Sequence, residues 1–113
     1  MALDQTTGER HWPDLPDELR SSSPDGTPTW VIFTTPWCVS CNAVRADLAT
    51  HRPEATVLTV DATVDPHLAE RYGVQRAPTT ILADAQGHVI ERLVGPENVR
   101  DRLRRLDEDA LTR

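Results

Sequence analysis

Trp30-Val31-Ile32-Phe33, then Thr34-Thr35-Pro36, then Trp37-Cys38-Val39-Ser40-Cys41: the reading of this stretch decides the fold. Four apolar residues in a row suit a short buried strand. Beyond the proline the periodicity changes, and Cys41, Val44 and Leu48 recur at i, i+3 and i+7, one face of a helix. The two cysteines of the chain therefore fall where a strand turns into a helix. A thiol at position 38 lies over unpaired N–H groups and the positive end of a helix dipole, and both favour the thiolate. The thiolate is the reactive form, and a second thiol one turn along can close an intramolecular disulfide. The residues point to thiol–disulfide chemistry.

Outward from that point the punctuation is clear. Thr50-His51-Arg52-Pro53 ends the helix, and Thr56 to Val60 is a β-rich run bounded by Pro53 and Asp61. A second helix is expected from Asp65 as N-cap and Pro66 in the first turn, with Leu68, Ala69 and Tyr72 inward and Gly73 as terminator. Thr79 to Ala83 reads as a strand, Asp84-Ala85-Gln86-Gly87 as a turn, and His88 to Val94 as the returning strand of a hairpin. Glu91 and Arg92 are expected as solvent-facing or edge charges on that hairpin. After Gly95-Pro96, Val99, Leu103 and Leu106 mark a last amphipathic helix, and the acidic run Asp107-Glu108-Asp109 reads as its frayed end. The order is β-α-β-α-β-β-α. The first β-α-β should be a parallel crossover and the closing hairpin must be antiparallel, so the sheet is mixed.

Residues 1–28 differ in character. Prolines 13, 16, 24 and 28, Ser21-Ser22-Ser23 and Asp25-Gly26 are turn and loop chemistry. Trp12, Leu15 and Leu19 have the spacing of one helical face, so two readings stand: a short helix begun by Pro16, or an irregular tail resting on the domain.

A chain of 113 residues is one domain, large enough for a core without disulfide staples. Only five residues are aromatic, so packing must rest on Val, Leu, Ile and Ala. The net charge of −6, with no basic cluster, argues against nucleic acid or an anionic membrane as partner. Every fixed positive side chain is Arg, which excludes Schiff-base and lysine-base chemistry. No run approaches the roughly 18 apolar residues that span a bilayer, and the first thirty lack the basic start and apolar core of a secretory signal. If Met1 is the natural start, the protein is expected in the cytoplasm, where a cysteine pair is more often catalytic, redox-sensing or metal-binding than structural. Metal fits poorly. A structural zinc needs four ligands, and His11, His51, His67 and His88 have no suitable spacing around the pair.

Trp-Cys-x-x-Cys at the first strand–helix turn, with Val60-Asp61, Tyr72-Gly73-Val74, Ala77-Pro78-Thr79 and Val94-Gly95 following in order, resembles the thioredoxin superfamily. The resemblance runs from about Thr29 to Leu106. It implies an α/β, thioredoxin-like three-layer fold: a central mixed sheet of four strands, or five, flanked by helices. The division is then an extension over 1–28, a thioredoxin-like domain over 29–107 and a frayed end over 108–113. The resemblance makes Cys38 the nucleophile and Cys41 the resolving thiol. Trp37, Ala77, Pro78 (as a cis-proline) and Gly95 would line a substrate groove, and Val39 and Ser40 would modulate the potential. It implies a monomeric protein-disulfide reductase without bound cofactor or metal, taking part in electron transport. Protein disulfides would be its substrates, and an external reductase or other donor would supply electrons.

Two departures stand out. The family commonly carries a buried Asp six residues before the first Cys, paired with a Lys on the neighbouring strand; Ile32 and Val57 hold those positions here. Losing both charges together is physically consistent, because one alone would be buried uncompensated. A slower resolving step is the expected consequence. Val39-Ser40 also replaces the Gly-Pro of reducing thioredoxins. The alternative reading is a thioredoxin-like redox-sensing or partner-binding module with little turnover. A third is a zinc-held structural domain.

Overall fold

The computed structural model describes residues 12–20 and 26–111. Its regular elements are β1 (Thr29–Thr34), α1 (Val39–His51), β2 (Thr56–Asp61), α2 (Pro66–Arg71), β3 (Thr79–Ala83), β4 (Val89–Val94) and α3 (Pro96–Leu111), preceded by one 3-10 turn at Asp17–Leu19. The strands form a mixed sheet in the order β2-β1-β3-β4. β1 runs parallel to β2 and antiparallel to β3, and β3 and β4 form the hairpin. β1, one of the two interior strands, is covered on both faces, which is why its apolar residues are continuous rather than alternating.

The sheet separates two cores. On one face Trp30, Ile32, Leu82 and Leu93 pack with Val44 and Leu48 of α1 and Val99 and Leu103 of α3. On the other, Val31, Phe33, Ile81 and Ala83 pack with Ala69, Tyr72 and Leu15. Helix α2 starts as its sequence dictates: the Asp65 carboxylate accepts the Leu68 N–H at 3.4 Å and Pro66 opens the first turn. It stops at Gly73, whose φ of +63° suits a residue without Cβ.

Residues 12–20 combine the two readings, an irregular path with a short helical turn after Pro16. Only the single 3-10 turn forms, because Pro13 and Pro16 remove N–H donors and Pro16 disfavours helical backbone at Leu15. The segment is nonetheless a tight strap across the second core. Leu15 is completely buried and donates its N–H to Gly87 O at 2.8 Å. The Tyr72 hydroxyl lies 2.9 Å from Pro13 O and 3.0 Å from Asp14 O. Burial moves its pKa above the ordinary tyrosine value, so it stays a donor at neutral pH.

The hairpin charges sit on β4, the edge strand, and are half-buried and partnered rather than solvent-facing. Arg92 lies 4.9 Å from the Trp12 ring and donates to Tyr72 O and Gly73 O, each at 2.8 Å. On the opposite face of β4, Glu91 faces Arg102 at 3.3 Å and Arg105 at 3.8 Å. Helix α3 continues through the expected frayed end, and Asp107 joins it to α1 through Arg52 at 3.1 Å and His51 at 3.6 Å. Within the described residues no helix is long and apolar enough to cross a membrane.

Candidate active site

The turn between β1 and α1 puts Cys38 at the helix N-cap, with its N–H donating to Thr35 O at 3.1 Å. Its backbone is extended (φ −86°, ψ 95°), and no side chain caps the helix. The first turn contains no acidic residue, so no carboxylate there offsets the positive end of the dipole. Cys38 and Cys41 are joined by a disulfide with Cα atoms 5.4 Å apart. Their environments differ sharply. Cys38 is half-buried, whereas Cys41 is 1% exposed on the inward stripe with Val44 and Leu48. Trp37 and Val39 are the exposed apolar neighbours, at 78% and 84%, and Ser40 is half-buried.

The remaining predicted site residues gather at the same end of the sheet. Phe33 pairs with Thr79, so the strand end leading to Cys38 lies beside the start of β3. There the Ala77–Pro78 peptide is cis, with Pro78 buried and Ala77 half-buried. Gly95 donates its N–H to Pro78 O at 2.9 Å, which ties the end of β4 to that loop. Its φ of +86° accounts for glycine at the position. The Thr79 hydroxyl closes the turn before the proline by donating to Arg76 O at 2.7 Å. Thr79 stands in the Ala77-Pro78-Thr79 motif, but no motif in the sequence singles out Thr80. Counting strand alternation from Pro78 would have put the two on opposite faces.

Beneath the site the interior is uncharged. Ile32 is fully buried in the first core, and Val57 packs half-buried against the same cluster. The buried polar side chains among the described residues are Thr29, Thr79 and Thr80. The nearest carboxylate along β2, Asp61, turns outward to the Thr63 hydroxyl at 2.6 Å and the Thr63 N–H at 2.8 Å. Those bonds, the hydroxyl first, hold its pKa below the ordinary carboxylate value. Among the described residues no three His, Cys, Asp or Glu side chains converge into a metal-holding group.

Comparison with known proteins agrees with this architecture. Residues 15–108 match the family model of the thioredoxin-like domain. A thioredoxin from Chlamydia muridarum is 38% identical over 68 residues, covering 58% of this chain and 66% of that protein. The thiol:disulfide interchange protein DsbD of Ralstonia nicotianae is 32% identical over 95 residues, 74% of this chain but 16% of that much longer protein. A mutant thioredoxin from Halobacterium salinarum superposes with a TM-score of 0.65 at 23% identity, covering 87% and 88% of the two chains. The thioredoxin of Fasciola hepatica superposes with a TM-score of 0.59 at 26% identity, covering 71% and 81%.

The fold and the paired cysteines define a redox-active thioredoxin-like domain. The chain belongs to the thioredoxin-like domain family. Such a domain, carrying a Trp-Cys-x-x-Cys pair, supports thiol–disulfide oxidoreductase function: two electrons and two protons interconvert the Cys38–Cys41 disulfide and the dithiol.

Proposed function

We propose that this protein is a thiol–disulfide oxidoreductase that exchanges protein disulfides through the Cys38/Cys41 couple. The observation that carries the reading is the asymmetry of the pair: one sulfur-bearing residue partly open at an uncapped helix start, the other 1% exposed behind it. The open position can reach a substrate, and the closed one can reach only its neighbour. In the reducing direction the Cys38 thiolate attacks one sulfur of a substrate disulfide. The Cys38–substrate bond forms and the first substrate thiolate leaves, taking a proton from water. Cys41 then gives up its proton and attacks Cys38. The Cys38–Cys41 disulfide forms, the second substrate thiolate leaves, and the substrate has gained two electrons.

Trp37, Val39, Ala77, Pro78 and Gly95 supply the surface against which an extended substrate segment lies, and Ser40 tunes the helix start. An external reductase or other electron donor returns the pair to the dithiol, with no bound cofactor, and the protein acts as a monomer. Cys38→Ser is expected to abolish insulin-disulfide reduction, whereas Cys41→Ser accumulates mixed disulfides. Equal activity in Cys38→Ser and wild type sinks the reading. The reduction potential separates the directions of flow: about −270 mV marks a reductant and about −120 mV an oxidant.

The uncharged floor at Ile32 favours a second reading, a redox-sensing module whose partner affinity follows the disulfide state. Partner binding that changes on oxidation, with negligible insulin turnover, would select it.

A further inference from the structure

Thr80 is a polar residue on a face that has no need of one. Directly opposite Ile32 in the β1–β3 register, it shares the face that carries Trp30, Leu82 and Leu93 and receives α1 and α3. It is fully buried, and its hydroxyl has no hydrogen-bond partner among the described residues. A valine would fill nearly the same volume without that unmet hydrogen bond, so the hydroxyl costs stability in the oxidised form. The other orphaned groups of β1 and its approach, on Thr27, Thr29 and Trp30, lie at the far end of that strand from Cys38. Thr80 lies at the near end, two residues after Pro78. Cys41, Val44 and Leu48 form the inward stripe of α1, and Val44 and Leu48 pack in the core that contains Ile32.

We propose that the Thr80 hydroxyl stabilises the Cys41 thiolate during the resolving step, as the polar partner of a thiol whose floor has no carboxylate. A disulfide sulfur is a weak, uncharged acceptor, so the hydroxyl is idle while Cys38 and Cys41 are bonded. Once that bond opens and Cys41 loses its proton, the hydroxyl has a charged acceptor, and charge-assisted bonds are the stronger kind. Thr80 takes no proton itself; that proton passes to water. Cys41 then attacks Cys38, the Cys38–Cys41 bond forms and the substrate thiolate departs. Other charges on the surrounding elements are engaged: Glu91 with Arg102 and Arg105, and Asp61 with Thr63. Asp47 of α1 pairs with Arg100, Asp101 of α3 pairs with Arg104 and Arg105, and Cys38 is the titratable group bonded to Cys41 in this form.

The idea deepens the proposed exchange activity, but its first test needs no turnover. Thiolate ultraviolet absorbance titrates Cys41 in Cys38→Ser protein with and without Thr80→Val. Loss of the hydroxyl should raise the Cys41 pKa by about one unit, a tenfold weaker preference for thiolate. Thr80→Ser should restore it, and Cys38, titrated in Cys41→Ser protein, should not move. In single-turnover resolution of a preformed mixed disulfide, Thr80→Val should be about tenfold slower at neutral pH and equal to wild type at alkaline pH. An unchanged Cys41 pKa in folded Thr80→Val, or an equal shift in Thr80→Ser, overturns the proposal. Thr80→Ala carries the same test if the valine variant does not fold. Wild-type protein that titrates as expected but exchanges no disulfides refutes the activity, not the Thr80 contact.

Discussion

The two faces of the sheet are closed by different physics. The α1/α3 face is covered by two long helices whose aliphatic stripes meet Trp30, Ile32, Leu82 and Leu93, and burial of apolar surface holds it. The opposite face is covered by the six-residue α2 and by a strap with one 3-10 turn. So little regular structure cannot supply enough helical stripe, and polar hooks complete the closure: Tyr72 to the Pro13 and Asp14 carbonyls, Arg92 to the Tyr72 and Gly73 carbonyls. The first face keeps its charges at the β4 edge, where Glu91 meets Arg102 and Arg105; the second builds Arg92 into its closure. The site sits above the first, where Ile32 and Val57 leave no buried charge that would need a partner, and the Thr80 hydroxyl is an orphaned polar group opposite Ile32.

The hardest blow to the dry face is a lone charge. Ile32→Asp, with only Val57 where a lysine would stand, should cost about 4 kcal/mol in urea unfolding. Adding Val57→Lys should recover part of that, and a purely additive double variant would show that the two positions do not communicate. Next comes a direct contest between faces. Leu48→Ala in α1 and Leu15→Ala in the strap should each cost about 3 kcal/mol, because both side chains are fully buried. A loss of only a few tenths at Leu15 would mean that the strap is an accessory and the comparison is wrong.

The hooks are worth less. Arg92→Lys keeps the charge but cannot span two carbonyls and a ring, so a loss of about 1.5 kcal/mol is expected. Tyr72→Phe should lose about 1 kcal/mol and expose the strap to proteolysis, with insulin reduction unchanged. The smallest effect is in acid. Partial burial alone would raise the Asp84 pKa, but the His88 and Gln86 N–H groups and the His88 ring outweigh it, leaving it below the ordinary carboxylate value. The folded state then binds fewer protons than the unfolded state, so the stabilisation is present above the ordinary value and lost as pH falls through the folded one. Asp84→Asn should flatten that acid limb in urea unfolding followed against pH; an unchanged limb would remove Asp84 from the hairpin's stability.

What was legible in the chain follows the same division. The dry face and every regular element could be read in advance, since Val44, Leu48, Val99 and Leu103 repeat at helical spacing and Asp65, Pro66, Gly73 and Gly95 punctuate the ends. The strap could not. Trp12, Leu15 and Leu19 carry helical spacing, yet the prolines between them, the Pro13 and Asp14 carbonyls that accept from Tyr72 and the Arg92 guanidinium over the Trp12 ring impose another path. The place of Arg92 on an edge strand is legible, but its partners are not, because nothing local reveals carbonyls twenty residues away.

The local pattern alone determined that Cys38 would begin a helix and that Cys41 would face inward, because helix periodicity and capping act within a few residues. Only the assembled sheet decided what lies under that helix. The β1–β3 register sets Thr80 opposite Ile32 and brings Pro78 and Gly95 to the cysteine end. Those neighbours are separated along the chain and adjacent only through strand pairing, which no local signal encodes.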